Sequence, residues 1–185
     1  SEKIQTLKKI QNDFPKSIYI DEALYQIARE YMSLKNYSTA ESIFNVLISQ
    51  HDYSPYLPDS YLKLGLINYN QKNDDAALRY YKTVVERFPK TTSSQEALSF
   101  IKIIYTNQGT PQDYFDYAAN QGVSESVTAQ DSAIYENAMR IYNSDNFEGA
   151  SKELAKYIQR FGDDGYFIIP ANFYKAECDF YTDKE

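Results

Sequence analysis

Apolar side chains recur along this chain at three- and four-residue intervals, and short polar runs interrupt them. Between Gln95 and Asn107, for example, Ala97, Phe100, Ile101, Ile104 and Tyr105 fall on one side of a helix. The polar runs LysAsnTyrSer (35–38), LysAsnAspAsp (72–75) and SerAspAsnPhe (144–147) each separate two such stretches. The pattern predicts pairs of helices joined by tight turns. Three stretches can be overlaid on one another: Ala23 to Leu47, Ser60 to Pro89 and Ile134 to Gly162.

Small residues mark the register of the overlay. Ala28, Gly65 and Ala138 lie midway along the first helix of each pair. Ala40, Ala77 and Ala150 follow twelve residues later, and Phe44, Tyr81 and Leu154 four beyond those. Paired helices approach closely only where a small side chain meets a large one, so each Ala or Gly supplies a hole and each Phe, Tyr or Leu a knob. Gly65 and Ala77 are expected to face each other across such a crossing. Phe88-Pro89 and Phe161-Gly162 close two of the pairs, and a Pro there cannot continue the helix.

Ala28 to Gly65 and Ala40 to Ala77 are both 37 residues. The excess over a period of about 34 falls in the loop 51–58, where insertions cost little. Fainter units flank the clear ones. Leu7, Ile10, Phe14 and Pro15 read as a second helix without its first. The segment 95–119 reads as a degenerate pair, its second helix opened by Thr110 and Pro111. A polar loop is expected from Asn120 to Gln130, and 170–181 reads as a first helix without its second. The resulting division is 1–15 half unit, 21–54, 58–91, 95–119 degenerate, 131–164, and 170–185 half unit. A stack that starts and stops in mid-unit lacks polar capping elements, so the native protein is expected to extend past at least one end.

Composition narrows the function classes. Hydrophobic residues make up 43%, enough for a core, and the aromatic share rests on 19 Tyr and 10 Phe. Acids outnumber bases 26 to 19, for a net charge of −7. No basic run is present, which argues against nucleic acid and against an anionic membrane surface. A single Cys permits neither an intrachain disulfide nor a cysteine metal cluster. No stretch approaches the ~20 apolar residues of a membrane span.

LysLeuGlyLeuIleAsnTyr (63–69), Ala77, Tyr81 and Pro89 resemble the tetratricopeptide repeat consensus. The resemblance covers 21–89 most strongly, then 131–162, and the remaining segments with less fidelity. It implies an all-α fold: a right-handed alpha-alpha superhelix, a solenoid of antiparallel helical hairpins. PheProLysSer (14–17), followed by AspGluAlaLeu (21–24), and PheProLysThr (88–91), followed by GlnGluAlaLeu (95–98), resemble envelope-associated bacterial members such as the outer-membrane assembly lipoprotein and the Tol-Pal accessory protein. That likeness implies a protein or peptide partner and a periplasmic or outer-membrane-associated location. A lipid anchor, if the protein carries one, lies outside this segment.

In the family the concave groove is lined by first helices. Carried over, its exposed positions include Tyr25 and Arg29, then Leu66, Tyr69 and Asn70, then Ile103 and Asn107, then Tyr135, Met139, Tyr142 and Asn143. Asn recurs at one groove position (70, 107 and 143), where an amide offers donors and an acceptor to a ligand backbone. An alternative reading has these Tyr pack between repeats and these Asn merely end helices. A carboxylate clamp is not expected, because Lys63 and Lys102 fall outside the groove positions and leave only Arg29.

No catalytic residue, cofactor or metal is expected. His51 is the only His and has no second His or Cys near it in sequence. Cys178 falls among Phe173, Tyr174, Ala176 and Tyr181, as a buried structural thiol would. Asp74-Asp75 and Asp163-Asp164 read as turn carboxylates, and AsnTyrSer (36–38) as an inter-helix turn that also matches a glycosylation sequon. The expected function is a non-catalytic protein-binding scaffold in bacterial cell-envelope assembly or maintenance. The alternative is the interaction arm of a larger cytoplasmic regulator or enzyme.

Overall fold

The computed structural model describes residues 2–14 and 17–182. Among these the chain forms ten α-helices and no strand. They are α1 (Glu2–Asp13), α2 (Ile20–Ser33), α3 (Tyr37–Gln50), α4 (Leu57–Asn70), α5 (Asp74–Arg87), α6 (Thr92–Gln108), α7 (Pro111–Asn120), α8 (Val127–Tyr142), α9 (Phe147–Phe161) and α10 (Ile168–Thr182). A 3-10 turn, Gly162–Asp164, precedes α10. The chain divides into two compact units, Ser1–Ile101 and Lys102–Glu185. In the first, α2 pairs with α3, α4 with α5, and α1 packs on α2. In the second, α8 pairs with α9, α10 packs on α9, and α7 packs on α8. The fold is an all-α array of helical hairpins.

The small-and-large pattern is what the hairpins bury. Ala28, Ala138, Ala40, Ala77 and Ala150 are fully buried, as are Phe44, Tyr81 and Leu154. Gly65 shows why the small position matters: a Cβ added there would lie 2.5 Å from Tyr81 Cε1. The three nearest atoms all belong to Tyr81, the large partner at this crossing. Helix side chains lean toward the N-terminus, so the Tyr81 ring reaches back over the preceding turn of α5. Tyr81 then stacks on Phe100 with ring centroids 5.0 Å apart and planes 5° from parallel.

The hairpin turns share one backbone solution. Lys35, Lys72 and Asp145 sit at φ of 57°, 63° and 61°, in the left-handed region. Each precedes an Asn whose side-chain oxygen caps the next helix. Asn36 accepts from the Thr39 amide at 3.2 Å, Asn73 from Ala76 at 3.3 Å and Asn146 from Gly149 at 2.9 Å. The amides of Asn36 and Asn73 reach back to the carbonyls of Tyr31 and Asn68, at 2.9 Å each. Gly109, at φ 78°, makes the corresponding turn between α6 and α7, and there Thr110 donates its amide to the Tyr105 carbonyl at 2.9 Å. The left-handed residue reverses the chain, and the Asn satisfies an amide that the helix start leaves open.

Three local expectations change. The polar stretch 120–130 is not all loop, for α8 already begins at Val127, with Ser126 accepting from the Ala129 amide at 3.1 Å. A serine cap, rather than hydrophobic periodicity, starts that helix. Glu125 is held before it by Lys102 at 3.0 Å and Tyr114 at 2.9 Å, and these two hydrogen bonds keep its carboxyl below the usual range. Helix α6 begins at Thr92, ahead of Gln95, because Thr91 Oγ1 accepts from the Ser94 amide at 3.2 Å. Asp74 and Asp75 occupy the first turn of α5, not the loop, where the helix dipole favours carboxylates. Helix α7 lacks the Ala and Phe of the pattern yet buries Tyr114, Phe115 and Ala118. Pro15, expected to close the first half unit, lies outside the described residues.

A buried polar network joins the second unit. Tyr157 Oη donates to Asp131 Oδ1 at 2.7 Å and accepts from the Phe167 amide at 2.9 Å. The Tyr166 amide donates to Asp131 Oδ2 at 2.7 Å. Both oxygens of a carboxylate that is only 3% exposed are thus satisfied, which its burial requires.

Two predictions follow from the caps and the buried tyrosines. Asn73→Ala removes the acceptor for the Ala76 amide and should cost about 1 kcal/mol in a urea unfolding titration. Burial raises the phenols of Tyr81, Tyr114 and Tyr157 above the ordinary value of 10.0; at Tyr114 and Tyr157 hydrogen bonds to Glu125 and Asp131 add to it. The folded state therefore holds these protons where the unfolded chain has lost them. Their stabilising effect is complete below about pH 10 and declines as pH rises beyond it. Ultraviolet absorbance of tyrosinate and far-ultraviolet circular dichroism, followed together in alkali, should change in one joint transition for these residues.

Candidate binding surface

First helices α2, α4, α6 and α8 carry the residues expected to line a groove. The structure separates them into two groups. The tyrosines are engaged with neighbouring helices. Tyr25 is buried, stacks on Tyr56 at 4.8 Å and 20°, and donates its hydroxyl to Asp59 of α4. Tyr69 is half-buried against Phe100, with centroids 5.7 Å apart. Tyr135 stacks on Phe167 at 4.4 Å and 2°. Tyr142 meets Tyr174 at 5.0 Å and donates to Glu177 of α10 at 2.7 Å. These rings pack one hairpin against the next, as in the alternative reading of the sequence.

Their hydroxyls report the same role. Burial, then the hydrogen bond to Asp59, raises Tyr25 far above an ordinary phenol. The hydrogen bond to Glu177, with desolvation second, pushes Tyr142 up to about 12. The sequence named these tyrosines but not their acceptors. Asp59 and Glu177 lie 34 and 35 residues beyond their donors, and that one-repeat spacing was the available signal.

The remaining members stay accessible. In the first unit Arg29 and Asn70 are exposed and Leu66 is half-buried. Arg29 also lies over the Tyr25 ring, 5.5 Å from its centroid. In the second unit Ile103, Asn107 and Asn143 are exposed and Met139 is half-buried. Asn70 is the last residue of α4 and Asn143 caps α8, so each ends a helix and keeps its amide in solvent.

One accessible group was not foreseen. Thr106, Ala133, Glu136, Asn137 and Arg140 line a cleft of about 180 Å³ in the second unit. Asn137 donates to the Gly109 carbonyl at 2.8 Å and accepts from Arg140 Nη2 at 2.9 Å. Glu136 and Arg140 each follow by one residue a carried-over position, Tyr135 or Met139. They line the cleft together with Thr106 of α6, close to the Gly109 turn that follows that helix.

The other singled-out residues have local roles. His51 Nδ1 lies 2.6 Å from Asp21 Oδ1 and joins the end of α3 to the start of α2. Cys178 is fully buried, and desolvation raises its thiol. Lys63 lies 3.5 Å from Asp59, and Lys102 3.0 Å from Glu125. Among the described residues no group of three or more His, Cys, Asp or Glu is placed to share a metal ion. None of the described helices is long and apolar enough to cross a membrane.

Two family models, both described as tetratricopeptide repeat, match this chain: one over residues 21–49 and one over residues 59–91. A search of curated proteins found no match. The matched stretches cover most of the α2/α3 and α4/α5 hairpins. The chain therefore carries tetratricopeptide repeats, which generally mediate protein–protein interaction.

Proposed function

We propose that this chain is a non-catalytic scaffold that binds a peptide or protein segment along its first helices, in bacterial cell-envelope assembly or maintenance. The observation that carries the binding reading is the split among the first-helix residues. Their tyrosines are consumed in holding hairpins together, while Arg29 and Asn70 in one unit and Ile103, Asn107 and Asn143 in the other are exposed, with Leu66 and Met139 half-buried beside them in sequence. Exposed amides can pair with a ligand backbone, and Leu, Ile and Met supply apolar contact around them. Arg140 and Glu136 add charge of both signs in the cleft lined by Thr106. The periplasmic location rests on the likeness of the PheProLys segments to envelope members of the family.

Photo-crosslinking checks both parts. A photoreactive residue placed at Asn70 or Asn143 should capture a partner from intact cells, whereas one at Asn45 or Gln159 on the second helices should not. Capture by all four positions alike would reject the surface. Mass spectrometry of the captured species should identify an envelope protein, and a purely cytoplasmic set would reject the location. Arg29→Ala/Asn70→Ala and Met139→Ala/Asn143→Ala should each weaken binding of that partner roughly tenfold, about 1.4 kcal/mol, with unchanged circular dichroism.

A further inference from the structure

The turn between α6 and α7 sets the position of a charged side chain on α8. Asn137, only 7% exposed, donates from Nδ2 to the Gly109 carbonyl at 2.8 Å. Its Oδ1 accepts from Arg140 Nη2 at 2.9 Å. Gly109 leaves the space for this, since a Cβ built there would lie 3.0 Å from Nη2. The guanidinium is thus tied to backbone through a buried amide. The tie uses one of its five N–H groups.

Glu136 lies one helical turn before Arg140, in the order that favours an ion pair along a helix. None of the ion pairs among the described residues includes either of them. Asn137 holds the guanidinium instead. Both side chains are exposed, and both line the cleft of about 180 Å³ with Thr106 and Ala133. The cleft therefore presents one positive and one negative group that do not neutralise each other, on Cβ atoms roughly 5–6 Å apart.

We propose that this cleft reads an acid and a base two residues apart in an extended partner segment. A carboxylate takes the remaining N–H groups of Arg140, where a guanidinium can bind it with two parallel hydrogen bonds. A Lys or Arg head group takes Glu136. The inference rests on the first-helix binding surface proposed above and adds the chemistry of one stretch of its ligand. Exposed amides along that surface select an extended segment, because a helix has already paired its backbone groups. In an extended chain, residues i and i+2 share one side about 6.6 Å apart, close to the one-turn spacing on α8.

Peptide display on the intact 185-residue chain tests this. A random library of short peptides is selected on the wild-type chain and separately on Glu136→Arg/Arg140→Glu. Both sites are exposed, so the exchanged variant should keep its fold, which circular dichroism checks. The wild-type chain should enrich an acid and a base with one residue between them, and the exchanged variant the same pair in the opposite order. In fluorescence anisotropy, a peptide selected on the wild-type chain should bind Glu136→Gln and Arg140→Gln each roughly tenfold more weakly. Identical sequences from both selections, or enriched peptides without the pair, would overturn the inference. If their binding still falls with Met139→Ala/Asn143→Ala, the first-helix surface stands. No enrichment on either chain would overturn both.

Discussion

The fold depends on one steric constraint: each hairpin closes only if a side chain of minimal size faces a large one across it. Gly65 against Tyr81 is the tightest case, with no room for even a methyl group. The helix accepts the conformational cost of a central glycine, about 1 kcal/mol relative to Ala, to seat a fully buried aromatic ring. That ring in turn stacks on Phe100, so packing within a hairpin and packing onto the following helix share one residue.

From this constraint follows the division of labour among the tyrosines. Their rings fill space between helices while their hydroxyls find carboxylates, as with Tyr25 and Asp59, Tyr142 and Glu177, and Tyr157 and Asp131. An amphipathic ring suits paired helices whose core positions lie close to solvent. The surface that remains on the first helices is made mostly of short amides and flexible apolar chains. These can adapt to a ligand without disturbing the packing beneath them.

The hairpins were legible in the sequence because small–large spacing and short polar turns are local signals. Ala28, Gly65, Ala40, Ala77, Phe44 and Tyr81 all lie where the overlay placed them along their helices. The start of α8 was hidden because its cap, Ser126, lies in a polar stretch that looks like loop throughout. The fate of Tyr25 and Tyr135 was less legible still. A tyrosine at a groove position reads the same whether it faces a ligand or the next hairpin, and only the approach of Tyr56 or Phe167 decides. Arg140 escaped notice because the family register names its neighbour, Met139, and the direction of a side chain depends on which helix is adjacent.

The steric claim is tested most directly by a double-mutant cycle on Gly65 and Tyr81, read by urea unfolding. In the native background Gly65→Ala should destabilise the chain by roughly 1–3 kcal/mol, because the added Cβ meets a ring that has nowhere to go. With Tyr81→Leu already in place the same change should be neutral or stabilising, since alanine is the better helix former. A coupling of ~1 kcal/mol or more between the two sites is the predicted result. Additive effects, or a Gly65→Ala chain as stable as the original, would contradict it.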